Sequence, residues 1–283
     1  MKATLEWLRS CCAQFGAADA RVGYAHLRNY TAEYREWGEG APLILVPGLA
    51  GGVELLGPVA RLLAKHYRVL SYQLRGEDDC FALRSHFGIR DLVEDLSEFI
   101  EWHCLERPAI FGLSFGGILA LEFAADYPLR LRALAVQGVG SRFERGLLQE
   151  VAGAVLSHYP LPADNPFINQ FFNLLFGGAQ RPGPLFDFVT RQCWQTDQGV
   201  MAHRFHLVEQ FDMASRLQRI RVPSLILTGE RDLLVSPDNL ENLCSGIPNN
   251  RRVSLPGCGH LAFLTQPQRV AREVERFLDR PVY

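Results

Sequence analysis

A serine with a glycine two residues away on either side occupies residues 112–116 (GLSFG). The preceding residues 108–111 (PAIF) are predicted to form a short buried strand, and residues 117–124 (GILALEFA) a helix. A strand-to-helix turn this tight leaves no room for Cβ atoms at the two glycines and strains the backbone of the serine. It would lift the Ser114 hydroxyl out of the end of the sheet and aim the helix N-terminus at the reacting group. The pentapeptide is therefore a candidate for nucleophilic chemistry.

A serine hydroxyl is a poor nucleophile near neutral pH and needs a base, which a carboxylate usually orients. Two later segments could supply these groups. One is a strand-like run followed by an acidic loop that carries Glu230 and Asp232 (LILTGERD), and the other ends in a glycine-rich turn that carries His260 (VSLPGCGH). If the serine, an acid and the histidine follow three successive strand ends in this order along the chain, the acid and the histidine could activate Ser114. Seven histidines lack this context and are predicted to be structural or on the surface: His26, His66, His86, His103, His158, His203 and His206.

Short apolar runs alternate with helical patterns along much of the chain. The runs that read as strands are 43–46, 68–72, 108–111, 131–136, 224–228 and 252–255, with one or two edge strands within 24–37. The helical patterns include 53–65, 91–103 and 267–278. This alternation predicts an α/β fold, with a mostly parallel sheet covered by helices on both faces.

The alternation breaks between residues 141 and 213, where the sequence is helical and rich in phenylalanine. Compact domains rarely hold a structureless loop of this length, so we expect a helical cap here. It would lie near the carboxyl ends of the strands, where such sheets bind ligands. The α/β core is then 24–140 and 214–283, and residues 1–23 are an N-terminal extension with a helix at about 4–15.

Composition narrows the functional classes. The formal net charge is −2 without a basic tract, so no nucleic-acid partner is expected. No apolar run reaches membrane-spanning length, and the first residues lack the apolar core of a signal peptide, so a soluble, cytoplasmic protein is expected. The seven cysteines form no CxxC pair, which predicts neither a disulfide framework nor a metal site. We expect a small-molecule substrate and no cofactor; the oligomeric state is open.

The serine pentapeptide, the acidic loop and the glycine–histidine turn resemble motifs of the α/β-hydrolase superfamily, and the resemblance extends over about 24–278. It implies a catalytic triad in which Ser114 is the nucleophile and His260 is the general base and then the acid. It also implies that Asp232 orients the histidine, in preference to Glu230. The resemblance implies the α/β-hydrolase fold with a helical cap insertion.

The same resemblance implies an oxyanion hole formed by two backbone N–H groups. One is the N–H of Phe115, directly after the nucleophile, and the other is the N–H of Leu49 in the loop 47–52 (PGLAGG). The chain departs from the family pattern at Pro47, where a histidine is usual, and at Gln73, where an aspartate is frequent. Neither departure affects the triad.

A serine nucleophile implies acyl transfer, so we expect hydrolysis of an ester, thioester or lactone through an acyl-Ser114 intermediate. The pentapeptide resembles those of enol-lactonases, small carboxylesterases and cofactor-free haloperoxidases. Alternatives are a haloperoxidase or perhydrolase, a C–C bond hydrolase, which often has Asn at the position of Leu113, and a small-molecule receptor that does not turn over. The substrate is expected to be hydrophobic, with contacts from four phenylalanines of the insertion: Phe143, Phe171, Phe172 and Phe176.

Overall fold

The computed structural model describes residues 14–77, 87–158, 166–177 and 183–279. It contains one eight-stranded sheet with the order β1-β2-β4-β3-β5-β6-β7-β8. β1 and β2 pair antiparallel, as do β2 and β4, and all the other pairs are parallel. The strands are β1 (Arg21–His26), β2 (Thr31–Trp37), β3 (Ala41–Val46), β4 (Tyr67–Tyr72), β5 (Ala109–Leu113), β6 (Ala133–Gln137), β7 (Ser224–Gly229) and β8 (Asn250–Leu255). The predicted mostly parallel sheet is confirmed.

Helices cover both faces of this sheet. The α-helices of the described residues are α1 (Gly57–Leu63), α2 (Ile89–Trp102), α3 (Phe115–Asp126), α4 (Leu147–Leu156), α5 (Pro166–Leu175), α6 (Pro184–Gln195), α7 (Gln198–Glu209), α8 (Pro237–Gly246), α9 (Ala262–Thr265) and α10 (Pro267–Leu278). Short 3₁₀ helices lie at Gly52–Leu56 and Leu217–Arg219. Helices α4 to α7 all belong to the connection between β6 and β7, where α4 packs on α7 and α5 on α6.

The central strands are apolar on both faces because both faces are covered. In β3, Ile44 and Val46 belong to one hydrophobic cluster, and Leu43 and Leu45 belong to a second cluster on the opposite face. All four side chains are fully buried. A strand buried on both sides reads as a continuous apolar run rather than as an alternating one, as it does here.

The structure differs from the sequence expectations at the start of the first strand and at the helix that follows β3. The first strand begins at Arg21, three residues before the expected start of the core at 24, because residues from Arg21 onward already pair with β2. The helix expected at 4–15 lies outside the described residues apart from Gln14 and Phe15, which are helical. The helix expected at 53–65 is split, because Pro58 lacks an N–H and starts a new α-helix after a 3₁₀ turn.

The turn between β5 and α3 has the strained geometry that the glycine spacing predicts. Ser114 has φ 53° and ψ −116°, in a region that L-residues seldom occupy. A Cβ atom at Gly112 would lie 2.4 Å from the carbonyl oxygen of Gly116, and one at Gly116 would lie 2.2 Å from the carbonyl oxygen of Val46. Both glycines are therefore required so that helix, turn and neighbouring strand can approach one another.

A methyl group added at Gly116 is expected to lower the free energy of unfolding by about 3 kcal/mol or more, because its neighbours at contact are backbone atoms that cannot rotate away. Gly88→Ala is the matched control, since a Cβ there meets its nearest atom at an ordinary 3.7 Å. That variant should change the unfolding free energy by less than about 1 kcal/mol. Urea denaturation of both variants measures the difference. Equal effects would contradict the close packing described for the turn.

Candidate functional site

Three loops at the carboxyl ends of β5, β7 and β8 bring Ser114, Asp232 and His260 together. The Nε2 atom of His260 lies 2.8 Å from the Oγ atom of Ser114. The Nδ1 atom of His260 lies 2.9 Å from the Oδ2 atom of Asp232. The histidine is 4% exposed and the aspartate side chain 2% exposed, so both hydrogen bonds are shielded from water. The parallel strands point their carboxyl ends to one edge, which makes this meeting possible.

The carboxyl group of Asp232 is held in its ionised form. Burial alone would raise its pKa, but the charge and hydrogen bond of His260 oppose burial, as do the backbone N–H groups of Leu234 and Val235. The net effect lowers the pKa of Asp232 below its ordinary value. The N–H of Leu234 donates to Oδ1 of this carboxylate at 2.9 Å, which leaves Oδ2 for the histidine. Asp232 can therefore stabilise a positive charge on His260.

Glu230, the second acid of this loop, has a different role. Its carboxylate accepts a hydrogen bond from the backbone N–H of Gly257 at 2.9 Å. Gly257 starts the turn that carries His260 and has a φ of 71°. Glu230 thus supports the turn that presents the histidine, while Asp232 contacts the imidazole ring.

The end of β6 connects the serine turn with the histidine turn. The backbone carbonyl of Gln137 accepts from the N–H of Ser114 at 2.8 Å, and its side-chain Nε2 donates to the carbonyl of His260 at 2.7 Å. Next to it, a Cβ atom at Gly138 would lie 2.8 Å from Cε1 of the His260 ring, so only glycine fits. Sequence reasoning did not find these two contacts, because neither depends on a residue type specific to catalysis.

The two backbone groups predicted to form an oxyanion hole both lie at the cavity above Ser114. Leu49 and Phe115 line this cavity, and a Cβ atom at Gly48 would lie 3.8 Å from Cβ of Ser114. Phe115 is the first residue of α3, where a backbone N–H has no acceptor within the helix. Within the part of the chain that the structure describes, neither N–H is paired. Both are thus available as donors beside the serine.

The cavity has a volume of about 220 Å³, and Ser114 and His260 form part of its wall. The remaining wall is mostly apolar. Of the four phenylalanines predicted to contact a substrate, three line it: Phe143, Phe171 and Phe172. Phe176 is not among the residues of the cavity wall. The end of α5 packs on the histidine turn, where the carbonyl of Leu175 accepts a hydrogen bond from the N–H of Leu261. The ring of Phe176 packs against that of Phe186, with the two ring centroids 5.7 Å apart.

Sequence reasoning missed other apolar residues of the cavity wall. Those contributed by α6 and α7 are Val189, Cys193, Trp194, Met201, Phe205 and Val208. The three from α7 stand at positions i, i+4 and i+7, which is the spacing of one helix face and was a readable signal. Burial raises the pKa of the Cys193 thiol to about 12, so this cysteine is protonated and does not compete with the serine.

Among the described residues, no group of three or more His, Cys, Asp or Glu side chains could hold a metal ion. Within the same residues, no helix is long and apolar enough to cross a membrane. Cys258, two residues from His260, is buried, with its Sγ atom 3.7 Å from the carbonyl of Pro256.

Comparisons with known proteins agree with the fold described above. A model of the alpha/beta hydrolase fold family matches residues 41–267. The structure is similar to the enol-lactonase from Burkholderia xenovorans LB400, with a TM-score of 0.82 and 22% identity, over 91% of this chain and 100% of that one. A pimeloyl-[acyl-carrier protein] methyl ester esterase from Nitrosospira multiformis is 24% identical over 254 residues, 85% of this chain and 95% of the esterase. The polyketide synthase ThaQ of Burkholderia thailandensis is 25% identical over 88% of this chain, which spans 12% of ThaQ.

Proposed function

Because the chain belongs to the alpha/beta hydrolase fold family, we propose that it hydrolyses a carboxylic ester, thioester or lactone through an acyl intermediate on Ser114. The observation that carries this proposal is the unbroken hydrogen-bonded path from Asp232 through His260 to Ser114, at the wall of an apolar cavity. Such a path converts a weakly nucleophilic hydroxyl into a nucleophile without a metal ion.

In the acylation half of the reaction, Nε2 of His260 takes the hydroxyl proton as Oγ of Ser114 attacks the carbonyl carbon. The negative charge that develops on the substrate oxygen is stabilised by the N–H groups of Leu49 and Phe115. Asp232 stabilises the imidazolium that forms. When the tetrahedral intermediate collapses, the imidazolium returns the proton to the departing alcohol or thiol, and the acyl group remains on the serine.

In the deacylation half, a water molecule takes the place of the leaving group. Nε2 of His260 removes a proton from this water as its oxygen attacks the acyl carbon, and the same backbone N–H groups stabilise the second oxyanion. Collapse releases the carboxylic acid and returns the proton to Oγ of Ser114. No oxidant, reductant or organic cofactor takes part in either half.

The cavity supports a hydrophobic substrate. Its side chains beyond the triad are mostly aliphatic and aromatic, and rings of Phe143, Phe171 and Phe172 face it, which suits an alkyl or aryl group. We assign residues 141–213 as the cap that closes over this substrate, because its helices α4 to α7 supply most of the wall away from the sheet. The related esterase and enol-lactonase are named for ester and lactone substrates, which agrees with the bond type proposed here.

A panel of p-nitrophenyl esters from acetate to decanoate tests the proposed function. Wild-type protein is expected to turn over at least one of them at about 1 s⁻¹ or faster. Ser114→Ala should lower kcat at least about 1000-fold, because the residual rate depends on binding and the oxyanion donors alone. Release of one equivalent of p-nitrophenol without turnover would instead identify a receptor, and full activity of the alanine variant would contradict the acyl-serine mechanism.

The two acids of the β7 loop give a matched pair of variants. Asp232→Asn should lower kcat about 10⁴-fold, because an amide cannot hold His260 in the required tautomer or stabilise its positive charge. Glu230→Gln keeps an oxygen that can accept from Gly257 and should change kcat by less than about threefold. Steady-state kinetics with the best ester of the panel measure both effects. A larger loss in the Glu230 variant would contradict the assignment of Asp232.

A further inference from the structure

Arg204 of α7 is a fully buried cation in the cap. Its exposed fraction is 0%, and it is the largest of the fully buried side chains among the described residues. A guanidinium removed from water is strongly destabilising unless carboxylates or carbonyl oxygens replace the lost hydration. The side chain therefore has to be understood through the acceptors around it.

Those acceptors belong to two loops at the carboxyl ends of β3 and β4. Nη1 of Arg204 donates to the carbonyl oxygen of Leu49 at 2.9 Å and to Oε1 of Glu77 at 2.5 Å. Nη2 donates to the carbonyl oxygen of Arg75 at 2.9 Å. The carboxylate of Glu77 is only 6% exposed, so the ion pair is shielded from solvent. One cap side chain thus binds both loops at once.

The Leu49 carbonyl lies in the same residue as one of the two proposed oxyanion donors. This carbonyl belongs to the peptide group after the Leu49 Cα atom and the N–H of Leu49 to the planar peptide group before it, so once the carbonyl is held, only φ and ψ of Leu49 can change the direction of its N–H. This loop, residues 47–52 and called the oxyanion loop below, leads from the end of β3 into the 3₁₀ helix at Gly52–Leu56, and its residues 47–51 belong to no strand or helix. A second cap residue, Thr196, accepts from the N–H of Gly51 at 2.9 Å. The cap therefore holds this loop from two sides.

The partner loop is itself attached to the core. The guanidinium of Arg75 makes two hydrogen bonds with Asp95 of α2, at 3.0 Å and 2.6 Å, and both side chains are buried. Glu77 also packs against the oxyanion loop, since a Cβ atom at Gly52 would lie 2.3 Å from its Oε2 atom. A continuous series of buried polar contacts thus leads from α2 through the Arg75–Glu77 turn to Arg204 and Leu49.

We propose that Arg204 is a positioning residue that sets the direction of the Leu49 N–H for the oxyanion in the transition state. The inference rests on the proposed function. It assigns the cap a role in the reaction rate in addition to substrate binding, because the guanidinium comes from the cap and its acceptor from the oxyanion loop. Arg204 itself is not among the residues that line the cavity, so it acts through Leu49 and not on the substrate.

Three variants test this role. Arg204→Lys keeps a charge that can reach fewer of the three acceptors. The double variant E77Q/R204M removes both members of the ion pair, so it leaves no unpaired buried charge and is expected to fold. Arg216→Met is the control: this arginine forms ion pairs at 2.6 Å each with Glu122 and Asp126, which lie toward the end of α3 opposite to Ser114 and outside the cavity wall, so its loss should lower Tm without changing kcat.

For the double variant, kcat with the best p-nitrophenyl ester should fall about 10- to 100-fold, while KM changes by less than about threefold. Affinity for a trifluoromethyl ketone, which forms an oxyanion adduct with the serine, should fall in parallel with kcat/KM. The kcat of Arg204→Lys should lie between the kcat values of the double variant and the wild type. A purely structural role would lower Tm and leave kcat of the folded protein unchanged.

Unchanged kcat in the folded double variant, or an equal loss of kcat in the Arg216→Met control, would overturn the inference. In both cases wild-type turnover would leave the proposed function standing. If the wild type neither turns over esters nor binds the trifluoromethyl ketone, the proposed function and this inference are both contradicted. The wild-type measurement therefore separates the two failures.

Discussion

The hydrogen bonds of His260 to Ser114 and to Asp232 are the interaction on which the rest of the structure depends. These hydrogen bonds, at 2.8 Å and 2.9 Å, tolerate little displacement, so each of the three loops must be held in place by further contacts. The strained serine turn is fixed by close glycine contacts with helix and strand. The acid loop and the histidine turn are fixed by backbone hydrogen bonds, and Gln137 at the end of β6 contacts both the serine turn and the histidine turn.

Two buried ion pairs lie on the other side of the site. The Arg75–Asp95 and Arg204–Glu77 pairs lie behind the oxyanion loop, where apolar side chains would give equal or better stability but less directional contacts. A guanidinium that donates to backbone carbonyls fixes the orientation of those peptides, which an alkyl side chain cannot do. We therefore propose separate tasks for the apolar cavity, which would hold a hydrophobic substrate, and for the polar network behind its wall, which would align the N–H groups.

The sequence predicted the elements whose signal is local. Ser114, Asp232 and His260 follow apolar runs, and parallel strands bring their carboxyl ends together, so order along the chain was enough to expect them in one place. Burial of Arg204 was not predictable, because one arginine on a helix looks like any solvated residue until α7 packs over the sheet. The position of Phe176 outside the cavity wall was not predictable for a similar reason: its ring direction depends on how α5 meets the histidine turn. The start of β1 at Arg21 depends on pairing with β2.

The central claim is that the acyl group passes through the oxygen of Ser114. Mass spectrometry of the protein, quenched in acid during turnover of a p-nitrophenyl ester, tests this most directly. We expect a mass increase equal to one acyl group, located in the peptide that contains Ser114 and absent from Ser114→Ala. Sustained ester hydrolysis by the wild-type protein with the acyl adduct on another residue would contradict this route. Undiminished hydrolysis by the Ser114→Ala variant would contradict it as well.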